Sequence, residues 1–350
     1  MTQDLTPSPE GTFSEIAQLI EVKRTRAVRA VNTELIDLYW EIGKILSHKI
    51  EYEQWGKKVV DELAAYLKQN HPALSGFSRA NLMRMRQFHN TYRDFPKVAP
   101  LVRQLSWSHN LLIISQAKRP EEREFYLITA AEENWTRREL ERQLKGALFE
   151  RKTLEKPIVS PAVRQLHPAA NSVFKDRYVM EFLDLAEGHS EADLHQSLLK
   201  NLRQFLTELG RDFCFIGSEH PIQVGNQDFA LDLLFFHREL NCLVAIELKV
   251  GRFEPEHLGK LNFYLEALDR DIKKAHENPS IGLLLCASKD NEVVEYALSR
   301  SLSPALIAQY ETKLPNKKIL QDKLHEFLEL SGNSEEHLQS LSQNEDDLSS

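Results

Sequence analysis

The run Leu243 to Val250 (LVAIELKV) is apolar enough to form a strand buried on both faces, yet Glu247 and Lys249 interrupt it. Side chains alternate faces along a strand, so these two point the same way. Removing an ionised carboxylate or ammonium from water costs several kcal/mol, roughly, unless the group is paired or bound to metal. Upstream, Phe229 to Phe236 (FALDLLFF) reads as a second buried strand with one acid, Asp232. Two carboxylates and an ammonium on neighbouring strands are the parts of a metal-dependent phosphodiesterase. Asp232 and Glu247 suffice to hold Mg2+ or Mn2+ together with water and a substrate phosphate. Such a metal polarises the phosphate and acidifies a bound water. Lys249 beside it orients that water or stabilises developing charge. The same residues also read as a structural ion pair of Glu247 with Lys249, with Asp232 at a strand end. The Glu-x-Lys triplet alone does not discriminate, because Glu21-Val22-Lys23 and Glu311-Thr312-Lys313 match it too. Only the copy at 247 lies in an apolar run that follows another.

Beyond the pair of runs, 205–210 (FLTELG), 229–237 (FALDLLFFH), 245–255 (AIELKVGRFEP) and 263–265 (FYL) resemble the nuclease domain of the YhcG family. That family belongs to the PD-(D/E)XK nucleases, which carry an Asp on one strand and Glu-x-Lys on the next. The segments 38–43 (LYWEIG), 76–78 (GFS) and 105–109 (LSWSH) resemble the same family's N-terminal helical domain. The likeness runs from about residue 20 to about residue 328. It implies a catalytic set of Asp232, Glu247 and Lys249, a Mg2+ or Mn2+ cofactor, and DNA as the partner.

Some positions depart from the pattern. Leu231 replaces the Pro of the superfamily signature but leaves the carboxylate in place. In 190–199 (SEADLHQSLL), His195 stands where family members carry a Glu that completes the metal site in this superfamily. His195 through its neutral imidazole, or Glu191 one turn earlier, is the substitute ligand. Lys260, on the helix after the Glu-x-Lys strand, reads either as a phosphate contact or as a solvated helix-face lysine. A catalytically weakened nuclease fold that binds DNA or protein, or a helical adaptor in a defence or repair assembly, is the alternative to an active enzyme. A homo-oligomer fits a nuclease that cuts both strands, although no sequence feature marks an interface.

At 350 residues the chain is expected to hold two domains. Its 42% hydrophobic and 27% charged residues are ordinary for a globular protein. No apolar stretch approaches 18 residues, so no membrane span is expected. The N-terminal residues lack the basic and apolar regions of a signal peptide, and a cytoplasmic location is expected. Cys214, Cys242 and Cys286 are odd in number and embedded in apolar runs, which argues for buried thiols rather than disulfides or a zinc site. No Gly-rich phosphate loop is present, which speaks against nucleotide hydrolysis. Net charge is −8, but its distribution matters more. Residues 21–160 hold 25 Lys and Arg against 18 Asp and Glu, whereas 161–330 hold 19 against 26. A nucleic-acid footprint is therefore expected in the N-terminal half.

That half has a helical pattern throughout. Val31, Leu35, Leu38, Ile42 and Ile45 recur at three- and four-residue spacing, which predicts an amphipathic helix that buries this face. Further helices are predicted at about 55–69, 79–93, 108–116, 120–132 and 136–148, with Ser78, Ser108 and Thr136 as N-caps. From Arg79 to Arg103 there are six basic residues and one acidic. Arg79, Arg84, Arg86 and Arg93 are candidate nucleic-acid contacts of a helix-turn-helix or winged-helix-like reader, or else a solvated face packed against another protein. The 71–78 turn is longer than that motif's usual three or four residues. Trp107 and His109 are expected to be structural.

Lys156 to Pro161 discourages helix and marks a linker or extended crossover. A short helix is predicted over Asp176 to Leu185, then a helix at 190–209 and strands near 213–217, 220–224, 229–236 and 242–249. A helix at 255–269, a strand at 281–286, a helix at 291–299, an edge strand from Pro304 to Tyr310 and a closing helix at 317–329 complete the order. The expected architecture is an all-α domain over 12–155 and a linker with a lead-in helix over 156–187. An α/β restriction-endonuclease-like domain with a mixed central sheet follows over 188–330. The acidic tail at 331–350 has no Lys or Arg and is expected to be disordered.

Overall fold

A computed structural model describes residues 9–52 and 57–327. The 331–350 tail lies outside the described residues. The chain divides into two units, with the division between Leu144 and Lys145.

The first unit is helical. It comprises α1 (Pro9–Tyr52), α2 (Lys57–Asn70), α3 (Arg79–Tyr92), α4 (Ala99–Gln104), α5 (Trp107–Gln116), α6 (Pro120–Glu132) and α7 (Arg137–Lys145). Ser78 caps α3 by accepting the Asn81 N–H, and Thr136 accepts the Glu139 N–H at the start of α7. Helix α5 begins at Trp107, one residue earlier than expected. Its N-cap is Ser106, not Ser108, and the Ser106 hydroxyl engages Nδ1 of His109 at 2.6 Å.

The apolar stripe expected to be buried on α1 is largely on the surface. Val31 is 69% exposed and Ile45 55%, while Ile36, Tyr39 and Leu46 fill the core instead. Helices α1 and α3 approach closely at Gly43, where a Cβ would lie 2.2 Å from the Met85 carbonyl oxygen. Trp107 packs on Tyr39 and Phe88 and donates from Nε1 to Asn81, so its role is structural. His109 is satisfied by Ser106 and by the Trp135 carbonyl.

The second unit begins with α8 (Leu148–Leu154), α9 (Pro161–Leu166) and α10 (Ala170–Val173). Ala147, in the left-handed region at φ 52°, separates α7 from α8, so the helix expected over 136–148 is broken. Pro161 does not prevent helix. It occupies the first position of α9, where no N–H is needed, and Ser160 caps it.

The lead-in helix expected over Asp176 to Leu185 is instead the strand β1 (Arg177–Val179) and a short 3-10 turn. Pairing with another strand outweighs local preference here. After α11 (Glu191–Lys200) and α12 (Leu202–Leu209), divided at Asn201, come β2 (Phe213–Val224), β3 (Gln227–His237) and β4 (Cys242–Arg252). Helix α13 (His257–Ala267), strand β5 (Asn278–Ser288), helix α14 (Asn291–Leu298) and strand β6 (Ala305–Glu311) follow. A final helical stretch spans 317–327.

The sheet order is β1-β6-β5-β4-β3-β2. Strands β2, β3 and β4 pair antiparallel, and β4, β5, β6 and β1 pair parallel. Strand β6 was expected at an edge but lies inside, because β1 covers it. Both faces of the sheet are covered, which is why the central strands read as continuous apolar runs. One core joins Leu233, Phe235, Ile246 and Leu248 to Leu194, Leu198 and Phe205. The other joins Leu231, Leu234 and Ala245 to Leu261, Tyr264 and Val294. Below β1 the fully buried Glu208 accepts the Val179 N–H and pairs with Lys175 at 3.2 Å and Arg151 at 3.6 Å, tying α8, α12 and β1 together. Among the described residues no helix is long and apolar enough to cross a membrane.

Candidate active site

Strands β3 and β4 pair from His237–Cys242 as far as Leu233–Ile246 and then part. At the next position the Asp232 side chain takes over from the backbone, and its Oδ2 accepts the Leu248 N–H at 2.8 Å. The separation brings Asp232 on β3 and Glu247 on β4 into one site.

Glu247 is fully buried. Its Oε1 receives Lys260 at 2.5 Å and lies 3.5 Å from Lys249, while its Oε2 has no hydrogen-bond partner among the described residues. Burial raises the Glu247 pKa above the ordinary carboxylate value and the charge of Asp232 raises it further, against the pull of Lys260 and Lys249. Desolvation lowers the Lys260 amine, but the hydrogen bond and charge of Glu247 outweigh it and the net shift is upward. Lys260 is thus a half-exposed helix-face lysine whose ammonium is engaged by the Glu247 carboxylate. It is part of the carboxylate site, reached because α13 packs on the face of β4 that carries Glu247.

Helix α11 supplies the other groups. Both oxygens of Glu191 accept from Lys249 at 3.1 Å, so this ammonium bridges Glu191 and Glu247. His195 donates from Nε2 to the backbone carbonyl of Asp232 at 3.1 Å, fixing α11 against β3. The helix holds its position through a capping box in which Ser190 and Asp193 satisfy each other's backbone N–H groups. Asp232, Glu247, Lys249, Glu191, His195 and Lys260 therefore come together. Among the described residues no group of three or more His, Cys, Asp or Glu side chains is arranged to hold a metal ion. The two carboxylates nevertheless suit a hard cation that takes few protein ligands, and the orphaned, buried Oε2 of Glu247 is the atom most in need of one.

The arginines singled out in the first unit are mostly paired. Arg79 meets Asp61 at 2.7 Å, Arg93 meets Glu51 at 3.2 Å, and Arg86 lies 4.0 Å from Glu51. Arg84 is exposed. In the second unit a cavity of about 580 Å³, lined by Arg151, Arg164, Phe174 and Arg177 among others, lies beside β1. None of the carboxylate-site residues lines it, and charge chemistry rather than concavity marks the functional candidate.

Residues 171–325 match the family described as YhcG PDDEXK nuclease domain, and residues 15–151 match the DUF1016 N-terminal domain. The chain is similar to YhcG of Escherichia coli (strain K12), whose name designates a candidate nuclease. The two are 31% identical over an alignment of 367 residues covering 93% of this chain and 96% of the relative. Two solved structures share 18% identity with 38% of this chain. One is a repair endonuclease from Pyrococcus abyssi, half of which is covered, with a TM-score of 0.24. The other is EndoMS in its apo form, with 49% covered and a TM-score of 0.23. With an N-terminal helical domain, a nuclease-type C-terminal domain and a full-length relative on both, the chain belongs to the YhcG family.

Proposed function

We propose that the second unit is a divalent-metal-dependent endonuclease that hydrolyses phosphodiester bonds in DNA, and that the first unit binds or targets that DNA. Asp232 and Glu247 would hold Mg2+ or Mn2+. The observation that carries the reading is the buried Oε2 of Glu247, without a hydrogen bond, beside a second carboxylate. A bound cation supplies Lewis acidity toward the phosphate and a more acidic water. Lys249, held between Glu191 and Glu247, presents its ammonium where an attacking water or a developing negative charge can be met. His195 keeps Asp232 in register through the backbone, which makes it a positioning residue rather than a ligand. Arg84, and Arg79, Arg86 and Arg93 after exchanging their carboxylate partners for phosphate, supply the contacts of the first unit. The exposed Arg79–Asp61 pair is of a kind worth about 0–1 kcal/mol that exchanges readily.

Cleavage of supercoiled and single-stranded DNA with Mg2+ or Mn2+, compared between wild type and Lys249→Ala, tests the reading. Activity that disappears in the variant supports it. A wild type as inert as the variant on every substrate overturns it.

A second reading rests on the hold of Lys260 on Glu247 and on His195 in place of a third carboxylate. In that reading the fold binds DNA or a protein partner without turnover. DNA binding that is insensitive to metal and unaccompanied by cleavage favours it.

A further inference from the structure

Helix α1 carries an apolar stripe that its own unit leaves bare. Its core face, through Ile36, Tyr39, Gly43 and Leu46, is buried. Beside that face run Val28, Val31, Leu35, Leu38, Ile42 and Ile45, spaced alternately by three and four residues. Val28 is 70% exposed, Val31 69%, Leu38 45% and Ile45 55%. The polar residues of this part of the helix, Glu34, Asp37, Glu41, Lys44 and His48, lie on a separate arc. The helix is thus apolar over far more of its circumference than its core requires.

The alternation averages a period of about 3.5 residues, that of a helix wound against another helix in a left-handed supercoil. The N-terminal part of α1 has a related need. Residues 13–31 are exposed throughout, and Phe13, Ile16 and Ile20 are each at least half bare. Most helical stability in proteins comes from packing an apolar face against a neighbour, and this part of α1 has no such cover among the described residues.

We infer that this stripe pairs with the same stripe on a second copy of the chain, parallel and in register, making the protein a dimer. A heptad seam is self-complementary, since a two-fold axis along it sets each residue against its own equivalent. The amount of surface agrees. The stripe leaves roughly several hundred Å² of apolar surface, the upper range for a monomer, and pairing two copies buries on the order of 1,000 Å², the floor for a specific interface. Charge selects the orientation. Antiparallel pairing centred on the stripe brings Glu34 of one copy beside Glu41 of the other, whereas parallel pairing keeps these acids apart. The pairing holds whether or not the chain cleaves DNA.

Sedimentation velocity of the full chain at micromolar concentration tests it. The wild type is expected to sediment as a dimer, and Leu35→Glu with Leu38→Glu as a monomer with an unchanged circular dichroism spectrum. Cys214 is exposed rather than buried as its apolar run suggests, so in a Cys214→Ser background Leu38→Cys is expected to form an intermolecular disulfide on mild oxidation, and Lys44→Cys on the polar arc to form none. A wild type that sediments as a monomer overturns the inference. So does a dimer that survives the double substitution, or cross-linking that is equal at positions 38 and 44.

Discussion

The ammonium of Lys260 lies 2.5 Å from Oε1 of Glu247, a full ångström closer than the ammonium of Lys249. The principal counter-charge of the buried carboxylate comes from α13 and not from the Glu-x-Lys triplet itself. This relationship governs how the charged groups of the site are held together.

Replacing Lys260 by Ala leaves Glu247 buried with only the more distant Lys249 to balance it. Removing one partner of a buried pair is costly, but Lys260 is itself 46% exposed, so the expected loss is about 1–2 kcal/mol. Urea unfolding with a chelator present measures it. Unchanged or higher stability in Lys260→Ala would show that the pair does not support the site.

Gly43 sets the spacing of α1 and α3. A Cβ there would meet the Met85 carbonyl oxygen at 2.2 Å and Cβ of His89 at 2.9 Å, and backbone cannot move aside cheaply. Gly43→Ala gains about 1 kcal/mol in helix propensity, but forcing two packed helices apart costs about 1–3 kcal/mol. A net loss in thermal midpoint is expected, visible in the near-ultraviolet signal of the Trp40 and Trp107 cluster around Phe88. A higher midpoint would contradict the close crossing.

His237 gives the fold a pH dependence. Its buried ring accepts the Leu240 N–H at Nδ1, and burial pushes its pKa below 6.5 despite the opposing charges of Asp212 and Glu239. Between the folded value and 6.5 the unfolded chain binds the proton and the folded chain does not, so this contribution to stability falls as pH drops through that window and is level above it. Asn at 237 keeps an acceptor and does not titrate. The stability advantage of wild type over His237→Asn is therefore expected to shrink between about pH 7.5 and about pH 5.5. A constant difference would mean that the ring titrates alike in both states.

Much of the candidate site is legible because charge inside an apolar strand is costly unless it is paired or bound to metal. Glu247 and Lys249 stand out in 243–250, and Asp232 does so in 229–236, without knowledge of the fold. Lys260 was not legible in this way, since a lysine on a helix reads as solvated until the helix is docked on a particular face of a particular strand. Strand β1 was missed for a related reason. Three residues carry no periodicity, and pairing with β6 decides their conformation. The α1 stripe marks another limit. Spacing reveals that Val31, Leu35, Leu38, Ile42 and Ile45 share a face, but not whether this chain or another covers it.

Calorimetric titration with Mn2+, comparing wild type with Asp232→Asn, bears most directly on the claim that Asp232 and Glu247 form a cation site. Uptake of Mn2+ by the wild type and its loss in Asp232→Asn is the expected result. Uptake of equal affinity and stoichiometry in both proteins would contradict it.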